Sequence, residues 1–355
     1  MRRPVFMKAY MSSSLPAIPE IDCERSLQLR GDGSQPLPDE ILMSGTPLVL
    51  RGLVTDWPLV RAARSSPLEA ETYLRQFYRD ATVLATHAPA AADGRIFYND
   101  DLSDFNFSAQ MVRFDQVLDA LRAHLEHPEP PTLYVGSTTL ETCLPGLREQ
   151  NALNFGARDP LASIWIGNRT CVPAHYDLPD NLACVAAGRR RFTLFPPEQL
   201  KNLYIGPLDF TPAGQSVSLV DPRQPDLQRF PRYAEALTHA QSAELGPGDA
   251  LFIPSMWWHQ VEGLEPFNIL INYWWRQSPA WMDTPFNTLM QALLTLRELP
   301  PAQRAAWQEI FRHYIFDSDG SETAHIPPAA RGMLAPLDAA AARALRAQIL
   351  NRLNR

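Results

Sequence analysis

Between residues 132 and 276 the apolar residues come in short runs, each bounded by glycine or proline. Leu133–Val135, Ile164–Ile166, Arg190–Phe195, Ala250–Ile253 and Ile269–Trp275 are the clearest. Runs this short cannot hold a helix long enough to bury a face, and regular turn punctuation between them predicts a β-sandwich or barrel. The 33 prolines, spread along the chain, fit many turns and strand ends and do not form a disordered tract.

The flanks read differently. Residues 1–40 are polar and proline-bearing and are expected to form an arm or irregular lead-in. A first strand is predicted over 47–52, a helix over 68–80, a strand over 81–86 and an amphipathic helix over 112–126. A segment from 206 to 243, rich in Pro, Asp and Arg, is too long for a turn and is expected to cover one mouth of the barrel. After Pro279 helical spacing returns, over 286–298 and 301–315. A last helix is capped by Asp338 and carries Ala341, Leu345, Ile349 and Leu353 on one stripe. The expected division is therefore 1–40, 41–280 and 281–355.

The formal charge of −7 argues against a nucleic-acid or anionic-membrane surface, since phosphate recognition needs a basic face. Four cysteines without a CxxC pair predict a reduced, cytoplasmic protein, and no apolar run has the length of a membrane span.

The chemistry sits in three places. His175-Tyr176-Asp177 offers an imidazole and a carboxylate two positions apart, which on a strand would share one face. His259 follows a tight turn, Gly246-Pro247-Gly248-Asp249, a strand and two tryptophans. Two histidines and one carboxylate leave open positions on a metal, the pattern of non-haem iron oxygenases. HxD alone is a weak signal, and a single buried histidine is often only a core residue; the aromatic setting of His259 favours the ligand. In the run from Arg190, alternation puts Arg190 with Phe192 and Leu194 on the inward face. A buried guanidinium needs an anion, and a dicarboxylate supplies one, although a rim arginine could also keep its head in water. Asn272 shares a face with Leu270 and Trp274 and must be satisfied inside, by the backbone or by a ligand. A dry pocket lined by Phe192, Trp258 and Trp274 is expected around these groups.

Longer stretches carry a resemblance. PLVLRGLVTDWP (47–58), FYNDDLSDFNF (97–107), IWIGNRTCVPAHYDLPDNLACVAAGRRRFTLFPP (164–197), RFPRY (229–233) and LGPGDALFIPSMWWHQVEGLEPFNILINYWW (245–275) resemble the cupin-like JmjC family of Fe(II)/2-oxoglutarate-dependent hydroxylases. The likeness is strongest to its asparaginyl hydroxylase branch, which acts on hypoxia-inducible factor. It implies a mainly β fold, a double-stranded β-helix with flanking N- and C-terminal helices. It implies iron at His175, Asp177 and His259, and 2-oxoglutarate as cosubstrate with O2. Arg190 falls where the family grips the distal carboxylate with a basic residue, supported by Tyr134. Asn181 and Asn272 match pocket asparagines, and Trp274 matches a nearby tryptophan.

One position departs from the pattern: the family's cosubstrate-binding threonine is Val172 here. The implied reaction is hydroxylation of a protein or peptide side chain, or of a small molecule, with release of succinate and CO2. Val172 leaves room for a different reading, a metal-binding cupin without turnover that serves as a binding or scaffold protein. Nothing resembles a chromatin-reading module, which weighs against a histone-type demethylase. The C-terminal stripe, with the family's habit of pairing through such helices, implies a homodimer.

Overall fold

A computed structural model describes residues 15–23, 33 and 35–354; most of the lead-in expected over 1–40 lies outside them. The chain divides into two compact units between Gln277 and Ser278.

The first unit is built on two facing sheets. In chain order the strands of its barrel are β6 (Leu161–Gly167), β7 (Thr170–His175), β8 (Asp180–Ala187), β9 (Arg190–Phe195), β10 (Gln241–Leu245), β11 (Ala250–Ile253), β12 (Trp258–Gly263) and β13 (Asn268–Trp275). Five further strands extend one sheet: β1 (Glu20–Asp22), β2 (Leu48–Arg51), β3 (Thr82–Ala88), β4 (Ser108–Arg113) and β5 (Thr132–Thr139). The large sheet runs β1-β2-β11-β8-β13-β6-β5-β3-β4, and the small one β10-β9-β12-β7. Strands β6 to β9 alternate between the two sheets, and β11 to β13 do so again. That alternation is the double-stranded β-helix, with helices at both ends of the chain.

The central strands of the large sheet, β11, β8 and β13, are covered on both faces, and this sets their composition. The sheet's outer face packs Ile164, Ile166, Leu182, Cys184, Ile269 and Ile271 against α2 (Pro58–Ser65), α3 (Pro67–Arg75) and α4 (Phe114–His124), helices that follow a short α1 (Asp39–Leu42). Its inner face sends Ala183, Val185, Leu251 and Leu270 to meet Phe192 and Leu194 of the small sheet. Strands buried on both faces lose polar alternation. For this reason β8, buried at every position, gives no clear strand signal of its own. The β8–β9 turn needs Gly188, at φ +70°, because a Cβ there would run into the Asn268 side chain and the Phe267 carbonyl. This turn starts β9 at Arg190.

One expectation shifts. The helix read over 112–126 begins at Phe114, because Val112 pairs with Val83 near the end of strand β4. The segment 206–243 contains α5 (Tyr233–Thr238) and the start of β10. From it, Ala213 packs on the cluster of Ile96, Tyr134 and Val172, beside Phe107 from the 97–107 stretch. The four cysteines are free and buried.

The second unit contains α6 (Pro285–Thr295), α7 (Pro301–Phe311) and α8 (Ala339–Leu353). Asp338 caps α8, its carboxylate accepting from the N–H groups of Ala340 and Ala341 at 2.8 Å. Among the described residues of this unit only Thr323 and Ala342 are buried. Leu294 and Phe316 are more than three-quarters exposed, at 77 % and 76 %. No described helix is long and apolar enough to cross a membrane.

Candidate metal centre and anion pocket

His175 ends β7 and His259 is the second residue of β12, where the two are paired across the antiparallel ladder. Their ring centroids lie 4.4 Å apart. Each ring is fixed by its own backbone: His175 Nδ1 is 2.8 Å from the Pro173 carbonyl, and His259 Nδ1 is 3.0 Å from that of Trp257. A carbonyl can only accept, so Nδ1 carries the proton and Nε2 is left with its lone pair for a metal. Burial, with His175 alongside, lowers the His259 pKa to about 4 against the pull of Asp177, so the imidazole stays neutral.

Asp177 is not on a strand, contrary to the alternation argument. β7 stops at His175, and Asp177 lies in the loop 176–179. It reaches the same point because the loop at 254–257 clamps it. Met256 N–H donates to the Asp177 carbonyl at 2.9 Å, Ser255 Oγ to the Leu178 carbonyl at 2.6 Å, and Ser255 N–H to the Asp180 carboxylate at 3.0 Å. Met256 takes a left-handed φ of 68° to do this, a conformation that a non-glycine residue holds only where its surroundings enforce it. Asp177 Oδ2 then lies 3.6 Å from His259 Nε2. One ligand atom from each of His175, Asp177 and His259 falls within 4.8 Å of the others. Two imidazoles and a carboxylate, each held by its own anchor, fit a divalent transition metal with positions left open.

The same barrel buries a guanidinium that has no counter-ion among the described residues. Arg190 is 2 % exposed; its Nη2 donates to the Trp165 carbonyl at 3.4 Å, and its Nε has no partner among the described residues. Burial lowers its pKa, with Tyr134 opposing. Tyr134 is buried between Trp165 and the Ile96–Val172 contact. Burial raises its phenol to about 12, with Arg190 pulling it down and Asp177 adding to the rise. It therefore stays a hydrogen-bond donor near neutral pH. Together Arg190 and Tyr134 present buried donors whose chemistry suits an anion.

The remaining expected residues also converge. Asn181 Nδ2 donates to Asp177 Oδ2 at 3.3 Å, and Asn272 Nδ2 to Asn181 Oδ1 at 3.4 Å. Trp274 crosses Trp165 edge-on at 5.7 Å and lines an open cleft of about 660 Å³, together with Asp177, Leu161, Gln215 and Arg276. Phe192 faces the barrel interior. Trp258 does not: next to His259 on one strand, it points the opposite way and packs with Ala174 and Phe195 outside the barrel. Sequence reasoning missed Ser255 and Trp165, whose roles depend on pairing and loop contacts and not on a motif.

A family model described as a cupin-like domain matches residues 34–280. Among curated proteins the chain is similar to human HSPB1-associated protein 1, 37% identical over 115 residues, which is 32% of this chain and 23% of that protein. It is similar to lysine-specific demethylase JMJ31 of Arabidopsis thaliana, 36% identical over 115 residues, 31% of this chain and 20% of that one. It is also similar to tRNA wybutosine-synthesizing protein 5 of Gallus gallus, 33% identical over 145 residues, 37% of this chain and 42% of that one. The matched region thus spans less than half the length of each of these relatives. With the family match covering most of the chain and the two-sheet barrel beneath it, this chain belongs to the cupin-like domain family.

Proposed function

We propose that this protein is an Fe(II)- and 2-oxoglutarate-dependent oxygenase that hydroxylates a substrate held in the cleft at Asp177. One observation carries the reading: a buried guanidinium, Arg190, with no counter-ion among the described residues and its Nε without a partner there, in the same barrel as a two-histidine, one-carboxylate triad. Burying an unpaired cation costs several kcal/mol, and a bidentate carboxylate offsets that cost.

His175, Asp177 and His259 would hold the iron. Arg190 and Tyr134 would take the distal carboxylate of 2-oxoglutarate. When bound, iron and cosubstrate supply the oxidising chemistry: one O2 is consumed, 2-oxoglutarate becomes succinate and CO2, and one oxygen atom enters a substrate C–H bond. The chain's own part is to position and to exclude water. The backbone carbonyls of Pro173 and Trp257 set the two imidazoles, Asn181 steadies the carboxylate, and Trp165, Trp274 and Phe192 keep the interior dry.

The resemblance to an asparaginyl hydroxylase supports a protein or peptide side chain as substrate, and a relative named as a lysine-specific demethylase adds lysine to the side chains worth testing. A small molecule in the same cleft is the other arm of that search. The apolar surface of the C-terminal unit supports a homodimer, as the stripe on α8 does.

Val172 favours a second reading, a metal-binding protein without turnover, because it adds an apolar wall where the family places a hydroxyl. Succinate formation decides between them. Protein supplied with iron, ascorbate, 2-oxoglutarate and O2 is expected to release succinate slowly without substrate and faster with it, and Arg190→Ala is expected to abolish both. Bound metal with no succinate under any condition would favour the second reading.

A further inference from the structure

We infer that Trp165 is a positioning residue: its indole N–H sets the direction of an amide relay that ends on the carboxylate of Asp177. The inference rests on the metal-centre reading above and adds a residue that neither the motif nor the fold assigns.

The relay has four members. Trp165 Nε1 donates to Asn272 Oδ1 at 2.7 Å, Asn272 Nδ2 to Asn181 Oδ1 at 3.4 Å, and Asn181 Nδ2 to Asp177 Oδ2 at 3.3 Å. An asparagine amide has a donor end and an acceptor end of nearly equal shape, so alone it can face either way. An indole N–H is a donor only. Its hold on Asn272 Oδ1 turns Nδ2 toward Asn181, which in turn presents its own Nδ2 to Asp177. If Asn272 turned over, two oxygens would meet at Asn181. The same reversal passed on would set an amide oxygen against the Asp177 carboxylate. A donor at the far end thus keeps a donor on Asp177 Oδ2, the oxygen that faces His259 Nε2.

The indole can hold this direction because it is itself fixed. It stands between Tyr134, at 6.2 Å, and Trp274, at 5.7 Å. It also lies so close over Gly136 that a Cβ there would come within 3.0 Å of the ring. Asn272 and Asn181, 1 % and 6 % exposed, have little water to fall back on. The backbone of the same tryptophan accepts from Arg190 Nη2. Trp165 is therefore where the anion pocket and the metal carboxylate meet. Loss of groups that orient metal ligands commonly costs 10- to 100-fold in metal affinity.

The test is a thermodynamic cycle on metal affinity, read with cobalt(II) by its visible spectrum and by competition with a chelator, without 2-oxoglutarate or turnover. Trp165 is replaced by benzothienylalanine, which keeps the ring shape and loses the N–H, and separately by phenylalanine. Each is combined with Asn272→Leu. The relay predicts an affinity loss of about tenfold for the isostere and a shifted cobalt spectrum. It also predicts that neither Trp165 change weakens the Asn272→Leu protein further. The isostere separates this from a folding defect, because it leaves the packing in place. If wild type binds cobalt and the isostere binds it equally well, or if the losses add in full, the relay is overturned and the metal-centre reading stands. If wild type binds no cobalt, both fall.

Discussion

Val172 and His175 both face the barrel interior although three positions separate them, because β7 carries a bulge. His175 pairs with His259 and Val172 with Val261, so three steps on β7 match two on β12. Pro173 and Ala174 occupy the extra length; proline, with no N–H for the ladder, suits a bulge. Without it the pleat would turn one of the two residues outward. Val172→Thr therefore places a hydroxyl inside, against Ile96 and Tyr134. An unsatisfied hydroxyl costs about 1–3 kcal/mol, so the variant is expected to melt below wild type as the metal-free protein. Metal with 2-oxoglutarate is expected to narrow that gap by accepting the hydroxyl. Melting curves with and without both ligands check this, and an unchanged gap would count against a cosubstrate beside residue 172.

Arg190 makes an opposite kind of prediction. Its charge is buried with no counter-ion among the described residues, so Arg190→Met is expected to leave the ligand-free protein as stable as wild type, or more so by up to a few kcal/mol. Wild type with metal is expected to gain about 2.7 kcal/mol from 2-oxoglutarate at a hundred times its Kd. The variant is expected to gain nothing. A variant that melts far below wild type and still responds to 2-oxoglutarate would show that Arg190 serves the fold and not the ligand.

Alkaline pH is expected to destabilise the protein steeply. Burial raises the thiols of Cys23, Cys143 and Cys171 to about 12, and that of Cys184 higher still. The folded state keeps protons that the unfolded chain releases near pH 8.5, so this stability is complete below about that pH. It is lost as pH rises toward 12. Melting temperature measured from pH 7 to 11 is expected to fall across that window, less so in Cys184→Ala. The native thiols are expected to resist a disulfide reagent at pH 8 and to react once unfolded. Rapid labelling of the native protein would contradict the burial.

The C-terminal unit is expected to pair with a second copy. Leu294, Ile315 and Phe316 are 77 %, 64 % and 76 % exposed, more apolar surface than a monomer usually leaves in water. Light scattering is expected to give twice the chain mass, falling to one for a protein carrying both Leu294→Glu and Phe316→Glu. A monomeric wild type would rule the pairing out.

Local patterns carried the parts of this site that depend on one strand. Alternation along β9 is enough to turn Arg190 inward, and alternation along β13 groups Asn272 with Trp274. Strand spacing pairs Asp177 with His175, yet Asp177 owes its position to a loop held by Ser255 and Met256. Trp165 and the β7 bulge were out of reach because each depends on register between strands far apart in the chain. Pro173 was the one local hint of the bulge. Strand β8 is hard to read for the same reason that it makes a good core: with both faces covered, it carries little polar alternation.

The most direct test is anaerobic titration of the metal-free protein, first with iron(II) and then with 2-oxoglutarate, watching for the weak visible metal-to-ligand charge-transfer band. The account predicts a band in wild type that is lost in Asp177→Ala, for want of metal, and in Arg190→Ala, for want of the cosubstrate's anchor. Iron bound by wild type with no band at saturating 2-oxoglutarate, or an undiminished band in Arg190→Ala, would contradict it.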